Sequence, residues 1–269
     1  MIFSKGWAFL KKDWRNLKSY RLAFAMQFLG IFFSVAIFFF ISRLVGSSVN
    51  PYLKSYGGDY FSFVLIGIAF TGFLHTGLNT FSTAISGAQG SGTLEAMLVT
   101  PTKISEILLC SSLWSFLMTG LNALVYLLFG ILFFGFSLGE LNIFSASLIF
   151  FLTLFIFSSL GIISASFILV LKRGDPISWL FGSFSSLVGG TYFPVNILPL
   201  WLQKVSYLIP LFYSLRAMRL AVLQGYSVGE LLPEIGALFG FAFLLIPLSL
   251  FLFKKALVKA KIDGSLVTY

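Results

Sequence analysis

Few residues in this chain could carry chemistry, and their spacing excludes most of it. The stretch Gly87-Ala88-Gln89-Gly90-Ser91-Gly92-Thr93 has the glycine density of a phosphate-cradling loop. It lacks the Lys-Ser/Thr pair that closes such a loop, and it follows a membrane-helix pattern instead of a strand, so ATP is not hydrolysed by that route. His75 is the single histidine and Cys110 the single cysteine. No His/Glu/Cys cluster has metal-ligand spacing, and no Ser/His or paired-Asp arrangement supports hydrolysis. One cysteine allows no disulfide within the chain. The expectation is a protein that is no enzyme, with no metal and no cofactor of its own. What remains is a polar stripe. His75, Asn79 and Ser82, with Ser86 beyond them, fall on roughly one face of a helix inside an apolar run. Polar groups facing hydrocarbon are costly, so this face must meet protein or water, as helix–helix hydrogen bonding or as a translocation path. A proton relay would need a carboxylate partner in the membrane, and the central parts of the spans contain none.

A second group lies just downstream. Residues 92–101 read as a short helix: Thr93 caps its start, Glu95 favours its positive end, and Pro101 helps to end it. Leu94, Met97 and Leu98 form a small apolar face with no lipid to bury it. A helix that docks into a partner's groove needs such a face; a solvated loop does not.

These groups must be positioned by helices that cross a membrane. Hydrophobic residues make up 58% of the 269 and charged residues 10%, with a mean hydropathy of +0.97. That is too apolar for a surface in water. Charge-poor runs predict six spans, at Leu22–Ser42, Tyr60–Thr83, Ile104–Phe136, Ile143–Leu171, Pro176–Gly190 and Glu234–Phe253. The fifth is short and rich in Gly and Ser, which points to close packing or a broken helix. With six spans both termini share a side, and that side holds 13 of the 18 Lys and Arg residues against five opposite. Both termini are therefore expected in the cytoplasm. This asymmetry accounts for the net charge of +9; nucleic acid is not an expected partner, because the cations flank apolar runs and form no single soluble basic face.

The two ends of the plan carry their own patterns. In residues 1–20, Phe3, Trp7, Leu10, Trp14 and Leu17 share one helical face and Lys5, Lys11, Lys12, Arg15 and Lys18 another. This is an amphipathic helix lying on the inner membrane surface, with membrane lipid as its partner. Residues 191–225 are too apolar for an external loop, yet Pro194, Pro199 and Pro210 break them too often for a plain span. Two short helices that dip into the outer leaflet and return satisfy both constraints, with Gly189 and Gly225 expected at the outer surface. The domain plan is thus one transmembrane unit: an interfacial helix at 1–20, five spans within 22–190, the re-entrant hairpin at 191–225, a sixth span at 234–253 and a cytoplasmic tail at 254–269.

Two of these segments resemble a known family. Gly92-Thr93-Leu94-Glu95 followed by Leu98-Val99-Thr100-Pro101 is similar to the loop by which type-2 ABC (ATP-binding cassette) exporter permeases contact their ATPase. Tyr192, Phe193, Pro194, Leu198, Pro199, Trp201, Pro210, Tyr213 and Arg219 resemble that family's segment between the fifth and sixth spans. Arg216 and Phe212 depart from the family's pattern, so no ion pair around Arg219 is carried over. The resemblance implies an all-α permease of a prokaryotic plasma membrane with a coupling helix at Thr93, Leu94, Glu95, Met97, Leu98, Thr100 and Pro101. It implies a second copy of itself, or a similar permease, as one partner, and two ABC ATPase subunits holding ATP and Mg as the others. The Gly-Thr-Leu-Glu form leans toward the drug and antibiotic exporters; a lipid-linked polysaccharide exporter is the near alternative. A self-sufficient secondary transporter or channel is the alternative from another class, and it would not need the apolar face at 94–98.

Overall fold

A computed structural model describes residues 6–7, 10–11, 13–15, 21–90, 92, 104–171 and 175–262. Among the described residues all regular structure is helical. Eight α-helices follow in order: α1 (Arg21–Val49), α2 (Tyr60–Gly90), α3 (Ile104–Phe134), α4 (Ile143–Leu171), α5 (Pro176–Val188), α6 (Leu200–Ser206), α7 (Pro210–Leu223) and α8 (Leu232–Ile262), with a 3-10 turn at Asn50–Tyr56. The described residues between 6 and 15 are helical too. The expected coupling helix, residues 93–101, lies outside the described residues, as does 263–269.

Five helices are long and apolar enough to cross a bilayer: Leu22–Gly46, Tyr60–Gly90, Ser112–Phe134, Ile143–Leu171 and Leu232–Ala260. At about 1.5 Å per residue, even the 23 residues of the third cover the roughly 30 Å of hydrocarbon. Burial separates them into layers. The apolar stretch of α2 is 72% buried and that of α4 56%, against 11% for α1 and 6% for α3. The centre is therefore the α2–α4 pair, and it closes because both helices carry glycine at the crossing. A Cβ on Gly161 would stand 1.9 Å from the Gly77 carbonyl oxygen, so no larger residue permits this approach. Leu74, Leu78, Ile149, Ile156, Phe157, Leu215 and Leu238 fill the core around it. Phe33 and Phe40 on α1, Leu124 and Leu132 on α3, and Phe243 on α8 point outward, as a lipid-facing or subunit-facing surface would.

The loops sort cleanly between the two ends. Asn142 donates from Nδ2 to the Gly225 carbonyl (3.4 Å) and from its backbone nitrogen to that of Ala221 (2.9 Å). Gly57 lies against the Gln224 side chain. The loops after α1, α3 and α7 thus meet at one end, and α4 closes at the other.

The fifth crossing differs from the expected span. Only Pro176–Val188 of this run is helical, 13 residues, about 20 Å long and too short for the hydrocarbon core. Asp175 caps its start, with Pro176 in the first turn, and Gly190 at φ +85° leaves the helix beyond its end. The helix also lies obliquely. Ser178 bonds the Leu78 carbonyl, Ser186 meets His75 and Thr191 meets Thr71, an advance from 178 to 191 along this segment against only 78 to 71 along α2. The chain then passes through α6 and α7, which are bent by 84° to each other, and reaches the end that holds Gly225. Between α4 and α8 the chain therefore crosses once, by a broken path, which completes the six-pass plan. Gly225 lies at the end with the 50–59 loop. Gly189 does not share that level, because it packs against Leu211 below the turn of α7 that carries Arg219. The last helix also runs to Ile262, past the expected boundary at Phe253. Lysines favour helix and can extend their charged ends to the interface, so the Lys254-Lys255 pair ends the apolar run without ending the helix.

Candidate functional site

The bent segment that follows α5 is held by one cation. Arg219, on α7, is 2% exposed and has no carboxylate beside it among the described residues. Its Nε donates to the Phe63 carbonyl (3.0 Å), Nη1 to that of Gly190 (2.9 Å) and Nη2 to that of Thr191 (3.0 Å). The guanidinium also lies 3.4 Å over the Phe63 ring, a cation–π contact. The turn at 190–191 has left helical geometry, so its carbonyls need donors inside an apolar bundle, and the rigid guanidinium fork supplies them. Gly67 makes room for this arrangement: a Cβ there would stand 2.2 Å from the Thr191 oxygen and 2.5 Å from Nη2. Beside the cage, burial raises the Tyr56 hydroxyl above its ordinary range, with Arg219 and Arg216 opposing it. Arg216, the departure from the family pattern, pairs with Glu234 at 3.0 Å on α8.

The other hairpin residues shape the segment on either side. Pro194 precedes the turn Val195–Ile197, Leu198 follows it, and Pro199 opens α6. Trp201 is 66% exposed, and Phe193 is half-buried. Pro210 is the buried first residue of α7, and Tyr213 meets Phe212 and Phe241 edge-on or tilted. Tyr192 stacks on Phe38 of α1 at 5.8 Å.

Below Tyr192 the bundle opens into a polar cleft between α2 and α3. Its first part, about 310 Å³, is lined by Thr71, His75, Thr76, Thr119, Asn122, Tyr126, Thr191 and Tyr192 among others. A second part of about 540 Å³ shares His75 and Thr76 and continues past Asn79, Thr80 and Thr83 to Asp13 and Trp114. Thr76 and Thr119 bond across it at 2.6 Å, and Gln27 of α1 donates to Asn122 at 3.0 Å. The stripe read from the sequence is thus divided. His75 and Asn79 open onto the cleft, with His75 Nε2 3.3 Å from Ser186. Ser82 is buried, because α5 lies across its end of the stripe; its hydroxyl turns to the Asn79 carbonyl at 3.0 Å. Hydroxyls, two amides and one imidazole in an otherwise apolar bundle can hydrogen-bond the polar part of a small amphipathic molecule. Their carbon framework leaves room for its apolar part.

One polar cluster had not been singled out. Asp175 accepts from the Ser164 hydroxyl, from Ser178 N (2.9 Å) and from Ser178 Oγ (2.6 Å). Burial pushes this carboxyl up, but the bonds from Ser164 and Ser178 prevail and hold it below the usual range. The available signal was Asp-Pro at the head of an apolar run, the signature of a capped helix start. The cluster ties α2, α4 and α5 together at the end opposite Gly225.

Two comparisons bear on this arrangement. The family model described as ABC-2 type transporter matches residues 3–223, which include the cleft and the hairpin up to the end of α7. No curated protein matches the chain.

Proposed function

The chain belongs to the ABC-2 type transporter family, and on that premise we propose that it is the permease subunit of an exporter driven by a separate ATPase. The observation that carries this reading is the polar cleft. Faces bearing His75 and Asn79 on α2 and Asn122 on α3 cannot rest against hydrocarbon without cost, so they must meet water, cargo or a second permease chain. The flanking helices α1 and α3 are almost unburied over their apolar stretches, which leaves that side of the protein free to pair. Two copies, or one copy with a similar permease, then enclose a path between their clefts.

The remaining parts follow from charge and apolar pattern. The family resemblance implies a prokaryotic plasma membrane, and the 13-to-5 split of Lys and Arg favours the cytoplasmic side for the termini and residues 93–101. There Leu94, Met97 and Leu98 dock on the ATPase, with Thr93, Glu95, Thr100 and Pro101 shaping the helix. ATP and Mg reside on that partner. The cargo is amphipathic or lipid-like, moved outward from the cytoplasm or inner leaflet, since the cleft offers hydroxyls and an imidazole beside aromatic surface.

The test is capture of the ATPase. Burying one leucine contributes roughly 1.5–3 kcal/mol, or about 10–200-fold in affinity. Leu98→Asp should therefore strip the ATPase from the purified permease while leaving its own elution and melting unchanged. A variant that retains its ATPase and transports normally would reduce residues 93–101 to a loop.

A further inference from the structure

A second cavity, of about 780 Å³, lies on another side of the bundle from the cleft. It is bounded by α3 (Cys110, Phe116), α4 (Phe155), α8 (Leu250) and the N-terminal residues Trp7 and Leu10. Its wall is almost wholly apolar. Two of the serines that line it spend their hydroxyls on their own helices: Ser159 donates to the Phe155 carbonyl (2.8 Å) and Ser249 to that of Ile246 (2.8 Å). A space with this lining offers water too few partners to hold it, and Phe155, Leu250 and Trp7 on its wall remain exposed, so it is open to its surroundings. Hydrocarbon must fill it. The volume falls within the roughly 300–1,000 Å³ of small-molecule sites.

The surroundings indicate whose hydrocarbon it is. The cavity occupies the half of the membrane that faces the N-terminal helix, since Cys110 and Phe116 lie early in α3 and Leu250 lies late in α8. Trp7 lines it and is still 70% exposed, so the cavity opens beside that helix. The helix itself is docked on α3: Gly6 lies against Leu113, and Trp14 meets Trp114 edge-on at 6.3 Å. Lys11 follows Leu10 directly and is exposed, with Arg15 one turn on; Lys5, Lys12 and Lys18 add to the same segment in sequence. An apolar cavity whose mouth is set under a cationic helix complements a molecule with an acyl tail and a negative head. We propose that this cavity holds an acyl chain of an anionic phospholipid from the adjoining leaflet, with its headgroup at the cations of the N-terminal helix. The lipid then serves as packing between that helix and α3, α4 and α8, separate from the cleft proposed for cargo.

The experiment is native mass spectrometry of the full-length protein, released from nanodiscs of equal phosphatidylglycerol and phosphatidylcholine. The wild type should retain phosphatidylglycerol over phosphatidylcholine. Replacing Lys11 and Arg15 by Gln should lower that preference by about fivefold or more, the scale of each cation at an anionic surface. Ser158→Trp, which fills the cavity, should abolish retention, whereas Leu128→Trp on the outward face of α3 should not. A photoreactive acyl chain on phosphatidylglycerol should label the peptides carrying Phe116 and Phe155 in the wild type, which keeps the test open if the Trp variant does not fold. Equal retention by Ser158→Trp, no headgroup preference, or labelling spread evenly over α1 and α3 would overturn the proposal. So would loss of cargo-stimulated ATP turnover in Ser158→Trp with lipid retention intact, which would make the cavity a cargo site.

Discussion

Gly67→Ala isolates the arrangement that holds the bent segment after α5. The new methyl would stand 2.2 Å from the Thr191 carbonyl oxygen and 2.5 Å from Arg219 Nη2, and Thr191 cannot move without giving up its bonds. Two of these are at risk: the charge-assisted bond from Nη2 (3.0 Å) and the Thr71–Thr191 hydroxyl contact (3.0 Å). The first is worth about 1.5–3 kcal/mol and the second about 1 kcal/mol. Alanine offsets up to about 1 kcal/mol of this through its better helix propensity. The net cost is about 1.5–3 kcal/mol, which at roughly 2–4 °C per kcal/mol lowers the melting temperature by about 3–12 °C. Gly72→Ala is the internal control on the same helix, because its methyl would meet only Thr119 Cγ2 at 3.5 Å, an ordinary contact. Melting of detergent-purified protein, followed by fluorescence-detected size exclusion, should show a clear drop for Gly67→Ala and none for Gly72→Ala. Equal melting of the two variants would mean that the Arg219 cage does not hold the turn as described.

Two further outcomes are expected. Cysteines placed at Ser4 and Ser265 should resist an impermeant thiol reagent in intact cells and react after permeabilisation; labelling of either in intact cells would reverse the orientation drawn from the charge split. Asp175 is held below its ordinary range, so its contribution is fully present above the unfolded value near 4 and is lost as pH falls through the lower folded value. Asp175→Ala should accordingly cost about 1 kcal/mol at neutral pH, the worth of a helix cap, and should flatten this acid limb of the melting profile.

The sequence is most informative where physical cause is local. Runs of twenty apolar residues must cross hydrocarbon, and α1, α2, α3, α4 and α8 stand where those runs lie. Hydropathy could not show that residues 176–190 lie oblique, because the cause is a contact: Ser178, Ser186 and Thr191 each find partners on α2. Arg219 was read as a residue of the hairpin and its exit. Its role as a buried pin depends on carbonyls at positions 63, 190 and 191, brought together only by the fold. Its immediate neighbours Met218, Leu220 and Ala221 did carry a hint, since a cation inside an apolar run must be satisfied by something. The His75 stripe was legible as polar, but its division between cleft and interior was not, for the helix that covers Ser82 comes from a segment about a hundred residues away.

The central claim is that this chain provides a path and a partner provides the energy. Vesicles reconstituted with the permease and the ATPase that co-purifies with it address this directly. ATP added on the side of the ATPase should drive accumulation of a fluorescent amphipathic probe across the bilayer, and His75→Leu should reduce that accumulation without releasing the ATPase. Accumulation by the permease alone, with no ATPase and no ATP, would contradict the account.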